Sequence, residues 1–194
     1  MNKTKFNTFN NFVQRTYVQF LLKYFSNLIL NITIKDYEIE ICTTSFNSFF
    51  FLVFLKKHTN CLFSTISDII AYDKPFKDKR FVLIYQLLSL SYNCRIRITS
   101  RVNEFDLVCT STGVFNCSNW LEREVFDMFG IIFFGHPNLR RILTDYGFKG
   151  YPLRKDFPLS GFYELLYKDF DKKLKKTPIF LGQEYREFKN SVYR

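Results

Sequence analysis

The sequence is poor in the residues that most cofactor sites require. It contains only two histidines, His58 and His136, and none of its five cysteines stands in a C-x-x-C pair. Ligand sets for zinc or for iron–sulfur clusters need tighter spacing. A G-x-G-x-x-G turn and a P-loop, the usual backbone cradles for nucleotide phosphates, are also missing. We therefore predict that the chain itself binds no metal, flavin or nucleotide.

Long apolar runs are absent as well. The longest uninterrupted one reaches from Phe49 to Leu55, far short of the roughly 20 residues that a bilayer crossing needs. Lys23 interrupts the apolar run that begins at Phe20, so we expect no secretory signal peptide. The odd number of scattered cysteines favours reduced thiols. These features predict a soluble or peripheral protein in a reducing compartment.

What the sequence has in excess is positive charge and bulky aromatic residues. The formal net charge is +10, phenylalanine occurs 25 times, and Ala71 is the single alanine. Such a charge suggests an anionic partner, whether nucleic acid, a membrane surface or an acidic protein. An AT-rich genome would also favour Phe, Asn and Lys without any selection for charge. This bias, with the weak transit-peptide character of the N-terminus, predicts a gene encoded in an organelle.

Hydrophobic periodicity predicts an α+β domain with a mixed β-sheet covered by helices. Apolar residues between Val13 and Leu28 recur at helical spacing and predict a helix that ends near Asn31. Strands are predicted at 37–41, around 62–70, at 81–85 and at 94–102. Helices and strands alternate before strands run consecutively, which is typical of α+β domains. Ser45 is predicted to cap a second helix, whose predicted inward stripe is Phe46, Phe49, Phe50, Val53 and Phe54.

A third helix is predicted over residues 119–129. Asn119 and Glu122 have the spacing of a capping box, and Gly130 follows as a C-terminal stop. Arg123 and Asp127 are predicted partners at i and i+4. The predicted inward face is Leu121, Val125, Met128 and Phe129, and Trp120, Arg123, Glu124 and Asp127 lie on another face.

The chain changes character after this helix. From Gly135 to Gly161, glycine and proline recur at intervals that defeat helix and strand alike. A long irregular stretch is uncommon in a compact domain unless it has a function. We therefore predict an α+β domain over residues 1–134 and a long, irregular C-terminal arm over residues 135–194 that packs on another protein. Because such a segment cannot satisfy its own backbone, we expect its charges to be buried against that partner.

An ordered string of motifs in this region resembles a known family. It comprises Glu122-Arg123-Glu124, Asp127-Met128-Phe129-Gly130, Gly135-His136-Pro137, Leu139-Arg140-Arg141-Ile142-Leu143, Thr144-Asp145-Tyr146-Gly147-Phe148 and Pro152-Leu153-Arg154-Lys155-Asp156-Phe157-Pro158-Leu159-Ser160-Gly161. The string is similar to the hallmark region of the subunit 9, or 30-kilodalton, family of respiratory complex I, the NADH:ubiquinone oxidoreductase. The sequence departs from the family at Asn138, Tyr151 and Leu166, where Asp, His and Arg are commoner.

The resemblance implies a non-catalytic scaffold subunit in the hydrophilic arm of complex I, peripheral to the mitochondrial inner membrane on its matrix side. It implies no cofactor in this chain, whereas the whole complex uses FMN, iron–sulfur clusters, NADH and ubiquinone. The implied partner is the hydrogenase-like large subunit that helps form the quinone site. The residues expected at this partner interface are Glu122, Arg123, Glu124, Asp127, His136, Arg140, Arg141, Asp145, Arg154, Lys155 and Asp156.

Two other classes of function have support from single features. Cys117, Asp127 and His136 could be arranged as a thiol triad, although any chain of this size offers such a trio. A basic RNA-binding or ribosomal protein of an organelle is the stronger alternative. Its predicted phosphate-and-stacking patch consists of Lys168, Lys172, Lys173, Lys175 and Lys176 with Tyr167 and Phe170.

Overall fold

A computed structural model describes residues 3–35, 38–183 and 186 of the protein, with side chains from residue 14 onward except that of residue 35. The chain divides into two compact units, Met1–Lys155 and Asp156–Arg194. Residues 135–155, which the sequence assigned to the arm, therefore group with the first unit.

A mixed sheet dominates the first unit. Its strands are β1 (Ile29–Lys35), β2 (Glu38–Thr44), β3 (Thr65–Asp73), β4 (Phe81–Ser89) and β5 (Cys94–Val102), in the spatial order β1-β2-β5-β4-β3. Strands β2 and β5 are parallel, and the other neighbours are antiparallel. The helices are α1 (Lys3–Phe25), α2 (Ser45–Lys57) and α3 (Ser118–Phe129), and the short strands β6 (Leu107–Cys109) and β7 (Ile132–Phe134) pair in parallel. The predicted α+β class with a mixed sheet is confirmed.

One face of the sheet forms the core together with α2. Alternate residues of each strand point to this face, and Ile41, Leu83 and Ile98 are fully buried there. The predicted inward stripe of α2 is partly confirmed: Phe49, Val53 and Phe54 pack against the core, but Phe46 and Phe50 are 65% and 54% exposed. The fully buried residues of the helix are Ser48, Phe51, Leu52 and Leu55. A helix that is apolar nearly all round gives periodicity no unique inward face.

Two boundaries near the N-terminus also differ from the prediction. Helix α1 ends at Phe25, and Ile29–Lys35 forms β1 where the sequence predicted the end of the helix. The β-branched residues of this segment favour strand, and pairing with β2 settles the outcome. The N-cap of α2 is Thr44, whose hydroxyl accepts the N–H of Asn47 at 3.4 Å, so the predicted cap at Ser45 is wrong by one residue and Ser45 is the first residue of the helix.

The second unit contains a β-hairpin that the sequence did not predict. Strands β8 (Tyr163–Lys168) and β9 (Lys173–Pro178) pair antiparallel, and Lys172 in the connecting turn has a positive φ of 50°. The lysines of β9 concealed the strand, since lysine is depleted in strands. In the part of the chain that the structure describes, no helix is long and apolar enough to cross a membrane.

Candidate partner-binding surface

Helix α3 underlies the candidate surface and carries two buried carboxylates. Val125 and Phe129 pack into the core, and Gly130 ends the helix with φ 79°, as the sequence predicted. Glu122 and Asp127 are both 0% exposed. A buried carboxylate is costly unless hydrogen-bond donors surround it. Each of the two therefore fixes another segment of the chain against the helix.

Glu122 holds the segment that follows β6. One of its carboxylate oxygens accepts the backbone N–H and the hydroxyl of Ser111, both at 2.6 Å, and the other accepts the hydroxyl of Thr110 at 2.5 Å. Burial raises the pKa of Glu122, although these hydrogen bonds act in the opposite direction. The predicted capping box with Asn119 is wrong. The N-cap position belongs to Cys117, which makes no side-chain capping bond among the described residues.

Asp127 holds the irregular segment that follows β7. Its Oδ2 accepts three consecutive backbone N–H groups, those of Ile142 at 3.1 Å, Leu143 at 2.7 Å and Thr144 at 2.9 Å. Its Oδ1 accepts the Thr144 hydroxyl at 2.7 Å and Arg141 Nη1 at 3.1 Å. Burial alone would raise the pKa of Asp127, but the hydrogen bonds from residues 142–144 outweigh it and lower the pKa. The carboxylate thus acts as an anchor for a loop that has no regular structure.

Arg141 extends this anchor to the next part of the loop. Its Nη2 donates to the carbonyl of Gly150 at 2.8 Å, and its guanidinium lies 4.9 Å from the ring centre of Tyr151. The predicted i,i+4 pair of Arg123 with Asp127 is not formed. Arg123 Nε instead donates to the carbonyl of Arg140 at 3.3 Å, so helix α3 also holds the start of this segment.

A second anchor secures residues 151–155. Arg154 Nε donates to the carbonyl of Phe129 at 2.6 Å, and its Nη1 bonds to the carboxylate of Glu104. The backbone N–H of Lys155 donates to Asp73 Oδ2 at 2.8 Å. Arg80 binds the same carboxylate through two nitrogens, at 2.8 and 2.7 Å. This bidentate pair is the first cause of the lowered pKa of Asp73.

Gly130 allows the segment to approach the end of α3. A Cβ at this position would stand 2.6 Å from Arg154 Nη2 and 2.6 Å from the Tyr151 ring. The guanidinium of Arg154 in turn stacks on that ring, 4.4 Å from its centre. Glycine is therefore required here twice, for its positive φ and for its lack of a side chain.

These contacts change the reasoning behind the interface prediction. Glu122, Asp127, Arg141 and Arg154 all have partners inside the chain, so they need no other subunit to pair their charges, and their place at an interface stays a prediction. The premise that the segment cannot satisfy its own backbone is wrong, because Asp127 alone accepts three of its N–H groups. The sequence reasoning missed Asp73, Arg80 and Glu104, whose pairing across the fold leaves no local signal.

The other predicted residues remain accessible to a partner. Arg140, Asp145, Lys155 and Asp156 are exposed, and Arg123, Glu124 and His136 are partly exposed. His136 orders a turn, since its Nδ1 accepts the N–H of Asn138 at 3.1 Å and its Nε2 lies 3.2 Å from the carbonyl of Asn119. Helix α3, strand β7 and the anchored segments also carry large exposed apolar side chains, namely Trp120, Phe134, Leu143, Tyr146 and Leu153.

The proposed thiol triad is not assembled. Cys117 Sγ donates to the carbonyl of Ile66 at 3.7 Å, and the Asp127 carboxylate is occupied by the loop. His136 contacts backbone atoms of its own turn and of Asn119. Over the described residues, no group of three or more His, Cys, Asp or Glu side chains could hold a metal ion.

Sequence comparisons assign the region that contains these anchors. The profile of the family described as "Respiratory-chain NADH dehydrogenase, 30 Kd subunit" matches residues 45–163. An NADH-quinone oxidoreductase subunit of Ruegeria pomeroyi is 47% identical over 163 residues, which cover 84% of this chain and 82% of that protein. The NADH-ubiquinone oxidoreductase subunit 9 of Reclinomonas americana is 44% identical over 168 residues, covering 87% and 82%.

Solved structures share the fold. A trypsin-resistant fragment (1-134) of Nqo5 superposes with a TM-score of 0.53 and 25% identity, covering 66% of this chain and 98% of the fragment. A chain of the membrane-bound sulfane sulfur reductase, an archaeal respiratory membrane complex, matches with a TM-score of 0.63 at 23% identity, covering 75% and 85%. The chain is thus an α+β protein that shares its fold with Nqo5. In particular, the chain belongs to the 30-kilodalton subunit family of respiratory-chain NADH dehydrogenase.

Proposed function

We propose that the chain is a core scaffold subunit in the hydrophilic arm of NADH:quinone oxidoreductase, respiratory complex I. The observation that carries this proposal is the family match over residues 45–163, which includes α3 and both anchored segments. The chain contributes to electron transfer from NADH to quinone, and to the coupled proton translocation, only as a part of the complex.

The use of the charged side chains supports a non-catalytic role. The buried carboxylates among the described residues are Asp73, Glu122 and Asp127, and all three accept hydrogen bonds that hold other parts of the chain. Arg141 and Arg154 are committed to carbonyls, carboxylates and aromatic rings within the chain. FMN, the iron–sulfur clusters, NADH and ubiquinone would accordingly be bound by other subunits.

The proposed partner is the hydrogenase-like large subunit that helps form the quinone site. The anchored segments would present Arg140, Asp145 and Lys155 to it, together with the 98% exposed ring of Tyr146. Exposed apolar side chains grouped with charged ones are typical of protein interfaces. Anchoring these segments before assembly lowers the entropy that binding would otherwise cost.

The proposed location is the matrix side of the mitochondrial inner membrane, with the gene encoded in the organelle. The Phe-, Asn- and Lys-rich composition supports this proposal. Blocking organellar translation should stop synthesis of the chain. Continued synthesis, followed by import and cleavage, would contradict this location of the gene.

Purification of the tagged chain in mild detergent tests the proposal. We expect stoichiometric recovery of the large quinone-site subunit and of NADH:quinone oxidoreductase activity, both lost when the tag is on an unrelated matrix protein. Recovery of the chain without other respiratory subunits would contradict the proposal. Ribonuclease treatment of the sample should change nothing.

The hairpin argues against the RNA-binding alternative. Tyr167 and Lys168 are neighbours in β8, so their side chains point to opposite faces of the sheet. Lys173 and Lys175 share the face of Lys168, as the register Lys168↔Lys173 requires. Of the strand lysines, only Lys176 shares the face of Tyr167, so the proposed phosphate-and-stacking patch is divided between two faces.

A further inference from the structure

The β8–β9 hairpin sorts its side chains onto two faces of different character. Paired residues of an antiparallel sheet share a face, and successive residues alternate between faces. The register from Tyr163↔Pro178 to Lys168↔Lys173 therefore assigns every residue of both strands. The apolar face consists of Tyr163, Leu165, Tyr167, Leu174, Lys176 and Pro178. The basic face consists of Glu164, Leu166, Lys168, Lys173, Lys175 and Thr177.

Among the described residues, the large side chains of the apolar face are mostly exposed. Tyr163, Leu165, Tyr167 and Leu174 are between 51% and 68% exposed. A two-stranded hairpin is at best marginally stable in water when it has nothing to pack against. A cluster of exposed tyrosine and leucine side chains is also typical of a protein-binding surface. The hairpin thus has the composition of a docking element, and it also needs another surface to pack against.

We propose that the apolar face of this hairpin docks on another subunit of the NADH:quinone oxidoreductase, in an apolar groove with a carboxylate beside Lys176. The inference rests on the function proposed above and names the element and the face through which the second unit engages the complex. The basic face stays in water, where its lysines also keep the open edges of the hairpin from pairing with other strands.

Charge decides which kind of occupant fits. Lys176 is the one charged residue of the apolar face, and all residues of the hairpin are described. A partner that buries this face must offer an acidic group, because a buried charge needs a pair. A second copy of the chain would bring its own formal charge of +10 and place lysine against lysine. A different, acidic-rimmed protein is therefore the occupant that the charges favour.

Two neighbouring leucines provide a matched test. Leu165 on the apolar face and Leu166 on the basic face are 56% and 50% exposed, so glutamate at either position costs similar strand propensity and similar burial within the chain. Leu165→Glu and Leu166→Glu are expressed in the full chain at equal levels, and the fraction in the assembled enzyme is measured by native electrophoresis. We expect about a tenfold or larger loss of incorporation for Leu165→Glu, the effect of losing an interface hot spot. Leu166→Glu should incorporate nearly as the wild type.

The outcomes separate this inference from the proposed function. If the wild-type chain does not enter the enzyme, the proposed function fails. If the wild type enters and the two variants incorporate equally, or Leu166→Glu is the weaker one, the docking face is wrong. Tyr167→Ser, on the apolar face near Leu174, should repeat the loss if the inference holds. If only Leu165→Glu lowers the melting temperature of the free chain, the face packs within the chain itself and the proposal is overturned. If light scattering shows a wild-type homodimer, a second copy of the chain covers the face and the proposal is likewise overturned.

Discussion

Substitution of Asp127 by asparagine tests how the irregular loop is held. The wild-type carboxylate accepts five hydrogen bonds from described residues, three of them from the consecutive N–H groups of residues 142–144. Asparagine has the same shape but only one accepting oxygen, and its NH2 group would face donors. The substitution also leaves Arg141 without its carboxylate partner.

The magnitude follows from these contacts. Hydrogen bonds to a charged group contribute about 1.5–3 kcal/mol each, and breaking a buried charge pair costs about 3–5 kcal/mol. Arg141 keeps the carbonyl of Gly150 and the ring of Tyr151, and the asparagine oxygen can still accept some of the amides. We therefore expect Asp127→Asn to lower the free energy of unfolding by about 3 kcal/mol, at the low end of that range.

Acid titration adds a signature specific to Asp127. The hydrogen bonds of the loop hold its pKa below the ordinary value, so the folded chain releases this proton more readily than the unfolded chain. The stabilisation by Asp127 is therefore complete above its ordinary pKa of about 3.9 and is lost as the pH falls through the lowered value. The difference between the wild type and Asp127→Asn should accordingly shrink below about pH 4.

Urea unfolding of the full chain measures the free energy of unfolding. Hydrogen exchange at the amides of residues 142–144 reports whether the loop is still held by residue 127. Asp145→Asn is the matched control, since this exposed carboxylate bonds only the N–H of Tyr146 among the described residues, and it should change stability by less than about 0.5 kcal/mol. Equal stabilities for the two variants, with unchanged exchange at 142–144, would refute the role of Asp127.

Three further substitutions probe the other anchors. In urea unfolding, Glu122→Gln should gain stability relative to the wild type as the pH rises above about 4.3, because the raised pKa of Glu122 makes the folded wild type lose stability when the carboxyl ionises. A difference in unfolding free energy that does not change with pH would contradict this effect of burial. Gly130→Ala should lower the melting temperature through a left-handed φ that costs about 1–2 kcal/mol and a Cβ 2.6 Å from Arg154, whereas Gly113→Ala, which meets nothing within 4 Å, is the control. Arg154→Ala should destabilise the free chain by about 1–3 kcal/mol. Arg140→Ala removes an exposed side chain, so it should lower assembly without lowering stability. Equal unfolding curves for the two variants would be evidence against the second anchor.

Local patterns predicted some elements well. Strand β5 was predicted at its observed bounds, 94–102, because Ile96 and Ile98 alternate with arginines. Gly130 was predicted as the stop of α3, since a positive φ at a helix end has a residue-level signal. The start of α2 was predicted to within one residue, since the capping hydroxyl belongs to Thr44 and not to Ser45.

Elements that depend on distant partners were missed. The helical pattern grouped Asp127 with Arg123, yet its partners lie 14 to 17 residues further along the chain. The prediction placed Glu122 in a capping box because of its spacing from Asn119, but the donors that permit its burial come from the loop after β6. The predicted first helix extended into strand β1 because only the pairing with β2 distinguishes strand from helix there. Tertiary contacts, rather than local preferences, thus decided each of these cases.

The most direct test of the scaffold role is the turnover of assembled enzyme in a series of variants at Arg140, the exposed arginine of the anchored segment. NADH:quinone activity is measured beside the amount of intact complex, for wild type, Arg140→Ala and Arg140→Glu. We predict that activity falls in proportion to the complex that is lost, with unchanged turnover per assembled enzyme. A complex that assembles in normal amounts and turns over slowly would contradict the scaffold role and assign this surface to catalysis.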